Sequence, residues 1–338
     1  MSPQWRLLRD GITDAHRHFA VEEAIVRRLD EVGRPNTLRI RQVEKAVFVG
    51  FFQDSDSEVN VPFCKERGIK IVRRMNPGGA VYHDLGSFCY SAFFLRDAFP
   101  QLEEELYRLF AQPIIRTCQD YGLEAHFKPA NDVLVGERKI YGSAQVIWYR
   151  AFVQSGTFLV NIDFEVMDKA LTPPPVKFAD KKAKSVRERV TSLAREVGRE
   201  IDTEEVIDRF LNHFSEMLGI KLREGGLSEE ERRLAEELWE SKYATEEWNF
   251  GPSRTYGITV AGKSKGGVVS ISANLDSGFI KELKIKGDFL LSRQEAIRRL
   301  ERLLVGHSPA EASSLVEEVD LPPDLSRTLA RLLGELHE

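Results

Sequence analysis

The sequence predicts an α+β protein in two units, a larger one over residues 1–246 and a small α+β unit over 253–338. Three observations point there. Up to about residue 225, short β-rich runs and helical patterns are mixed, with no internal repeat. An aromatic–Gly–Pro stretch, EEWNFGPS from Glu246 to Ser253, then reads as a linker. Beyond it the style changes to a hairpin followed by short helices.

Taken in order, Ala20 to Leu29 is apolar at helical spacing, while Ala46 to Gly50 and Lys70 to Val72 are short β-rich runs. Leu102 to Cys118 predicts a long amphipathic helix whose Leu106, Leu109, Phe110, Pro113 and Ile114 face a core; Pro113 is expected to bend or split it. Val133, Leu134 and Val135 predict a strand, Gly136-Glu137 a tight turn, and Lys139-Ile140 the start of a return strand. Phe158, Val160 and Ile162 alternate along another strand. Asp202 to Leu218 predicts a helix with acids in its first turn and Gly219 as its stop. Ser228 to Glu231 is a capping box opening a charged helix through Trp239. In the smaller unit, Val268 to Leu275 and Phe279 to Lys286 predict strands around Asp276-Ser277-Gly278. Box-like helix starts follow at Ser292 and at Ser308, the latter with Pro309 in the first helical position, and Leu325 to Leu336 predicts a third helix.

Composition excludes several classes of function. Among 338 residues, 48 basic and 53 acidic side chains are interleaved, so no electrostatic footprint for nucleic acid exists. No run approaches the about 20 apolar residues of a membrane helix, and the N-terminus lacks a signal-peptide core. Three cysteines cannot all pair internally, which fits a reducing interior. The expectation is a cytoplasmic protein with neither nucleic-acid nor membrane partners. His16 and His18 have no neighbouring ligand cluster, so no zinc site is expected. Gly257 to Ser264 matches the phosphate-loop pattern G-x-x-x-x-G-K-S. The residues after it are strand-like rather than helical, so a hairpin is predicted in place of a nucleotide loop.

Two segments carry chemistry. Arg73 to Asp84, RRMNPGGAVYHD, sets two guanidiniums before a Gly78-Gly79 pair, where a missing Cβ lets backbone amides approach a ligand. Asn131 to Gln145, NDVLVGERKIYGSAQ, puts Lys139 on a strand just ahead of the small residues Gly142, Ser143 and Ala144. With HFAVEEA (His18 to Ala24), VFVGFFQD (Val47 to Asp54), VQSGTFLVNID (Val153 to Asp163), SVRERVTSL (Ser185 to Leu193) and EEWNFG, these strings lie in the order and spacing of one family. The chain resembles the lipoate–protein ligase A family of the biotin/lipoate ligase superfamily, including its C-terminal accessory domain.

That resemblance implies a large mixed-sheet catalytic domain, ATP and Mg²⁺ as helpers, and lipoate as the acid activated to lipoyl-AMP. The carriers implied are apo lipoyl domains of 2-oxoacid dehydrogenase E2 subunits and the glycine cleavage H protein. Lys139 matches the catalytic lysine that also contacts lipoate. Arg74, with Arg73 beside it, matches a phosphate-contacting arginine. Gly78, Gly79, Ala80, Val81, Tyr82 and His83 match the loop along the nucleotide and acyl-adenylate, with Tyr82 expected to stack near adenine. Asn131 and Asp132 match a polar pair near the phosphates, Asp132 being the expected Mg²⁺ ligand. The basic run Lys177 to Arg189 matches a loop that closes over the adenylate. Three departures bear on the acyl pocket: Met75-Asn76-Pro77 replaces serines and glycine of the loop, Ser155 replaces histidine, and Phe51-Phe52 precede Gln53. Related transferases carry the acyl group on a cysteine, and Cys64 and Cys118 are expected to be packing residues instead. An octanoyltransferase or lipoyl amidotransferase, a biotin-type ligase and a catalytically silent lipoate-binding protein are the alternatives.

Overall fold

The computed structural model describes residues 3–33, 35–99, 101–173, 186–251 and 255–336. Its centre is an eight-stranded mixed sheet built from β1 (Gln4–Thr13), β2 (Thr37–Val43), β6 (Ser87–Leu95), β7 (Ala125–Lys128), β8 (Asp132–Val135), β9 (Arg138–Trp148), β10 (Ala151–Leu159) and β11 (Lys221–Glu224). The spatial order is β11-β1-β2-β6-β10-β9-β8-β7, parallel among the first three and antiparallel thereafter. A small sheet of β3 (Ala46–Val49), β4 (Lys70–Arg73) and β5 (Val81–His83) stands beside it in the order β4-β3-β5.

Both faces of the large sheet are covered, which is why β6 is buried along nearly its whole length rather than alternating. On one face, α2 (Glu103–Asp120) and α3 (Thr203–Leu218) set Leu106, Phe110, Ile114, Phe210 and Phe214 against Phe88, Tyr90, Phe94 and Phe152. Each such aromatic side chain contributes on the order of 2–3 kcal/mol of burial. On the other face lies α1 (Ala15–Val32), with α4 (Glu229–Leu238) packed against it. Asp14 caps α1 by accepting from the His16 and Arg17 amides, and Gly33 ends it at φ 73°. His16 and His18 thus sit on a helix, and no group of three or more His, Cys, Asp or Glu side chains among the described residues is placed to hold a metal. α2 runs unbroken through Pro113, whose carbonyl accepts from the Thr117 hydroxyl at 2.8 Å. No split occurs because burial of Pro113 and Ile114 in the core holds the turn that proline weakens.

The C-terminal residues form β12 (Ile258–Ser264), β13 (Gly267–Asp276) and β14 (Phe279–Gly287), an antiparallel sheet, then α5 (Glu295–Leu304), α6 (Pro309–Leu315) and α7 (Pro323–Gly334). The phosphate-loop pattern is indeed the β12–β13 hairpin. Ser308 and Glu311 close a capping box at α6 as expected, but Ser292 does not cap α5: its hydroxyl binds Glu103 of α2 instead. No helix among the described residues is long and apolar enough to cross a membrane.

Candidate active site

Cross-strand partners share a face of a sheet, so register alone draws the floor of the site. One row runs Gly142 (β9), Thr157 (β10), Cys89 (β6), Arg41 (β2); the next runs Ala144, Ser155, Ser91, Arg39. α1 covers the β2 end of these rows, and β5 with the Met75–Gly79 loop forms a wall. They enclose a cavity of about 930 Å³ that reaches from Lys139 to Glu22.

Lys139 reaches this floor through a bulge. Val133 pairs with Tyr141 but Leu134 with Lys139, so Ile140 is an extra residue on β9 and the lysine is re-aimed. Its Nζ lies over Gly142, where a built Cβ would sit only 2.3 Å from it, and forms an ion pair with Asp132 Oδ1 at 2.6 Å. Asn131 is locked by the Ser143 amide, which donates to its carbonyl at 3.0 Å, so the Asn131-Asp132 turn is presented rigidly beside the lysine. Thr191 donates its amide to the Lys139 carbonyl at 2.8 Å, tying the chain after the helix Val186–Arg189 to the same strand. Residues 177–185 of the expected closing loop lie outside the described residues.

The glycine loop is seated by a close approach: a Cβ on Gly50 would lie 1.8 Å from the Gly78 carbonyl oxygen. Arg74 curls beneath the loop and donates to the carbonyls of Gly79 (2.8 Å), Pro77 (3.0 Å), Asn76 (3.3 Å) and Phe48 (3.3 Å). Burial pulls its pKa down to about 10, so it stays charged at neutral pH. Gly78, Gly79, Ala80, Val81, Tyr82 and His83 line the cavity, as do Asn131, Asp132 and Lys139.

One residue departs from the expectation. Arg73 does not line the cavity; it is 9% exposed and donates to the carbonyls of Gln53 (2.6 Å), Trp248 (3.0 Å) and Gly50 (3.1 Å). It pins the helix Glu246–Phe250 to the Gly50–Gln53 turn, so the EEWNFG stretch is a clamped element rather than a loose linker. Tyr82 pairs with Val47 on the side of the small sheet away from α1 and packs in a cluster with Val49, Ile71 and Leu159. It borders the cavity at 1% exposure, and burial raises its hydroxyl well above the usual range. Strand alternation puts its neighbour His83 on the other face of the small sheet, against Phe48.

Phe51 and Phe52 also differ from expectation. Neither lines the cavity: Phe52 enters the C-terminal core and stacks on Phe289 at 4.8 Å, while Phe51 packs on Trp248. Ser155 is where the departure predicted, on the cavity floor, bonding Ser91 at 2.8 Å.

Sequence reasoning missed the far end. Arg41 donates to Glu22 Oε1 at 2.6 Å, to His18 Nδ1 at 3.0 Å and to the Ser91 hydroxyl at 3.0 Å, all buried. Burial, with Arg41 and Arg39 adjacent, holds His18 neutral. His83, buried beside Arg74 and Arg41, is pulled down to about 3, and its Nδ1 lies 3.4 Å from Cys89 Sγ. Burial pushes the Cys89 thiol up, which disfavours a reactive thiolate. The signal available was TLRIRQV: two arginines alternating with apolar residues on one strand must point into something buried. Cys64 and Cys118 are buried packing residues whose thiols are pushed up to about 11 and about 12.

The arrangement suits an anionic ligand held by backbone amides and one ammonium, with a groove for a chain beyond it. Comparison with known proteins shows the family. Residues 14–215 match the lipoyl protein ligase A/B catalytic domain, and residues 253–321 match the bacterial lipoate protein ligase C-terminus. The chain is 36% identical over 255 residues to lipoate-protein ligase A subunit 1 of Thermoplasma acidophilum, covering 72% of this chain and 95% of that one. It is 30% identical over 321 residues to lipoate–protein ligase 1 of Staphylococcus aureus, covering 92% and 93%. It is also 29% identical over 272 residues to an octanoyltransferase, LipM of Kyrpidia tusciae, covering 73% and 98%. Among solved structures, it resembles a bipartite lipoate protein ligase of T. acidophilum described with its E2 lipoyl domain (TM-score 0.65, 33% identity, 76% of this chain and 100% of that one). It likewise resembles a lipoate-protein ligase A bound with ATP (TM-score 0.64, 30% identity, 73% and 99%). The chain belongs to the lipoate–protein ligase family, with the family's catalytic fold and its bacterial C-terminal unit.

Proposed function

We propose that this protein is an ATP-dependent lipoate–protein ligase. The acid's carboxylate oxygen attacks the α-phosphorus of ATP, pyrophosphate leaves, and an acyl-adenylate remains. A carrier lysine amine then attacks the acyl carbon, AMP leaves, and an amide forms. The observation that carries the reading is Lys139, re-aimed by the Ile140 bulge onto the bare Cα of Gly142 and held by Asp132 at 2.6 Å. A compact ammonium there neutralises charge between the carboxylate and the α-phosphate.

The amides of the Gly78–Ala80 loop orient the phosphates, with Arg74 bracing the loop from beneath. Asp132 stands beside Lys139, and among the described residues no group of three or more His, Cys, Asp or Glu side chains is placed to hold a metal. That suits Mg²⁺, which keeps several waters and binds through one or two carboxylates plus phosphate oxygens. Asp132, with Asn131 adjacent, would hold it, and the ion would neutralise phosphate charge. No enzyme thioester is required, and the thiol nearest the floor, Cys89, is buried beside a neutral His83. The carriers proposed are apo lipoyl domains, including those of E2 subunits and the glycine cleavage H protein, in a cytoplasmic setting.

Intact-mass spectrometry of an apo lipoyl domain incubated with the protein, lipoate, ATP and Mg²⁺ tests this reading. A lipoyl mass gain that needs ATP supports it. A gain from an octanoyl thioester donor without ATP would favour the octanoyltransferase reading, which the LipM relatives raise.

A further inference from the structure

The C-terminal unit brings a cation to the glycine-loop side of the cavity. The turn between β12 and β13 is two residues long, Lys265 and Gly266, closed by the Ser264–Gly267 pair. Three contacts fix its backbone. Asp324, at the start of α7, accepts from the Lys265 amide, and the Gly266 carbonyl accepts from the Leu290 amide at 3.3 Å. The Ser264 hydroxyl donates to the Gly267 carbonyl at 3.0 Å. Leu290 in turn lies over the glycine loop, since a Cβ built on Gly78 would sit 3.4 Å from its Cδ2. The turn is thus held one side chain away from the Gly78–Ala80 amides, and Lys265 and Leu290 line the same cavity as Gly78 and Lys139.

The cations already at the loop are committed. Arg74 donates to the carbonyls of Gly79, Pro77 and Asn76, and Lys139 is paired with Asp132. Lys265 differs: it is exposed, and among the described residues no carboxylate forms an ion pair with its ammonium. Asp324, the acid beside it, is turned to the Lys265 amide and lies 3.8 Å from Arg327. A pinned backbone with an ammonium on a flexible four-carbon stem can follow an anion that moves as it leaves.

We infer that Lys265 is a second catalytic cation, which the C-terminal unit presents to the β- and γ-phosphates of ATP. When the acid's oxygen attacks the α-phosphorus, the bond from that phosphorus to the α–β bridging oxygen breaks, and its electron pair leaves with pyrophosphate. The ammonium offsets the charge that grows there, and no proton moves. The G-x-x-x-x-G-K-S segment therefore meets phosphate through the lysine that follows it, on a hairpin turn. The inference deepens the proposed ligase reading and rests on it for the nucleotide in the cavity.

Calorimetric binding of ATP, pyrophosphate and AMP to the full-length protein, parent against Lys265→Ala, tests it. ATP and pyrophosphate should each bind the variant about tenfold more weakly, the scale of one charge-assisted contact, while AMP binds both alike. Lys265→Arg should recover most of the loss, because it restores the charge. Lys281→Ala removes an equal charge from an exposed position of β14 outside the cavity and should bind all three like the parent. Pyrophosphate held equally by parent and Lys265→Ala, or a loss that extends equally to AMP, would overturn the assignment. Acid-driven exchange of labelled pyrophosphate separates the two claims. Lys265→Ala should raise the KM for pyrophosphate about tenfold, while transfer from supplied lipoyl-adenylate is unchanged. A parent that binds pyrophosphate through Lys265 yet never exchanges sinks the ligase reading alone. Exchange with an unaltered pyrophosphate KM in the variant sinks this inference alone.

Discussion

At the residue scale, the site depends on where single Cβ atoms are missing. A Gly142→Ala Cβ would meet the flexible tip of Lys139 at 2.3 Å, so the backbone stands and the lysine moves. The variant should melt like the parent while adenylation falls at least about tenfold, since a misplacement near 1 Å costs up to a hundredfold. Steady-state kinetics beside a melting curve would check both halves. Titration offers a second probe. His83 titrates near 3 in the fold, against about 6.5 unfolded, so between those values the unfolded chain holds the extra proton. Stability is therefore fully present above pH 6.5 and is lost as pH falls toward 3, by up to about 1.4 kcal/mol per pH unit for this group. Buried His18 acts in the same direction. His83→Gln should flatten the slope of denaturant-derived stability across that window by close to one proton; an unchanged slope would remove His83 from it. Lys139 was legible because small residues follow it in sequence. The bracing role of Arg73 was not, because its partners, the carbonyls of Gln53, Trp248 and Gly50, lie on other elements.

At the element scale, caps and turns were readable and long-range partners were not. Ser228 and Ser308 close their boxes within four residues, so local sequence suffices. Ser292 has the same look, yet Glu103, far away in sequence, takes its hydroxyl. The bulge at Ile140 carries no marker in the sequence, since it arises from β8–β9 register. The Arg41–Glu22 pair joins a strand to a helix and was hidden for the same reason. The Gly50 turn allows an element-level test. Gly50→Ala would drive a Cβ to 1.8 Å from a backbone oxygen that cannot rotate aside, so the Met75–Gly79 loop must shift. We expect a lower melting temperature together with loss of ATP affinity. A variant that binds ATP like the parent would show that the loop is not held by this approach.

At the scale of the whole molecule, the two units share an anchor rather than a slack tether. Phe52 stacks in the C-terminal core, its carbonyl accepts from the Gly287 amide at 2.9 Å, and Asp54 bonds Lys286 at 2.6 Å. The tip of the β12–β13 hairpin, with Ser264, Lys265 and Gly266, borders the same cavity as Lys139. The style change after EEWNFGPS was visible in the sequence; the grip was not, because its key residue sits some two hundred positions upstream. If this unit closes the site for activation, Phe52→Ala should loosen it by about 3–5 kcal/mol, the usual cost of such a truncation. Acyl transfer from supplied lipoyl-adenylate should then persist while the reaction from free lipoate and ATP falls. Equal loss in both assays would make the unit a general support and not an activation device.

The central claim is that Lys139 serves acid activation by ATP, and exchange of labelled pyrophosphate into ATP, driven by the acid with no carrier present, reads that step alone. The parent protein should exchange with lipoate, and Lys139→Ala should exchange at least about a hundredfold more slowly, the usual loss on removing one preorganised charge-stabilising group. Exchange within a few-fold of the parent in the lysine variant would contradict the account. So would a parent that never exchanges yet transfers an acyl group from a thioester donor in a manner abolished by Cys89→Ser.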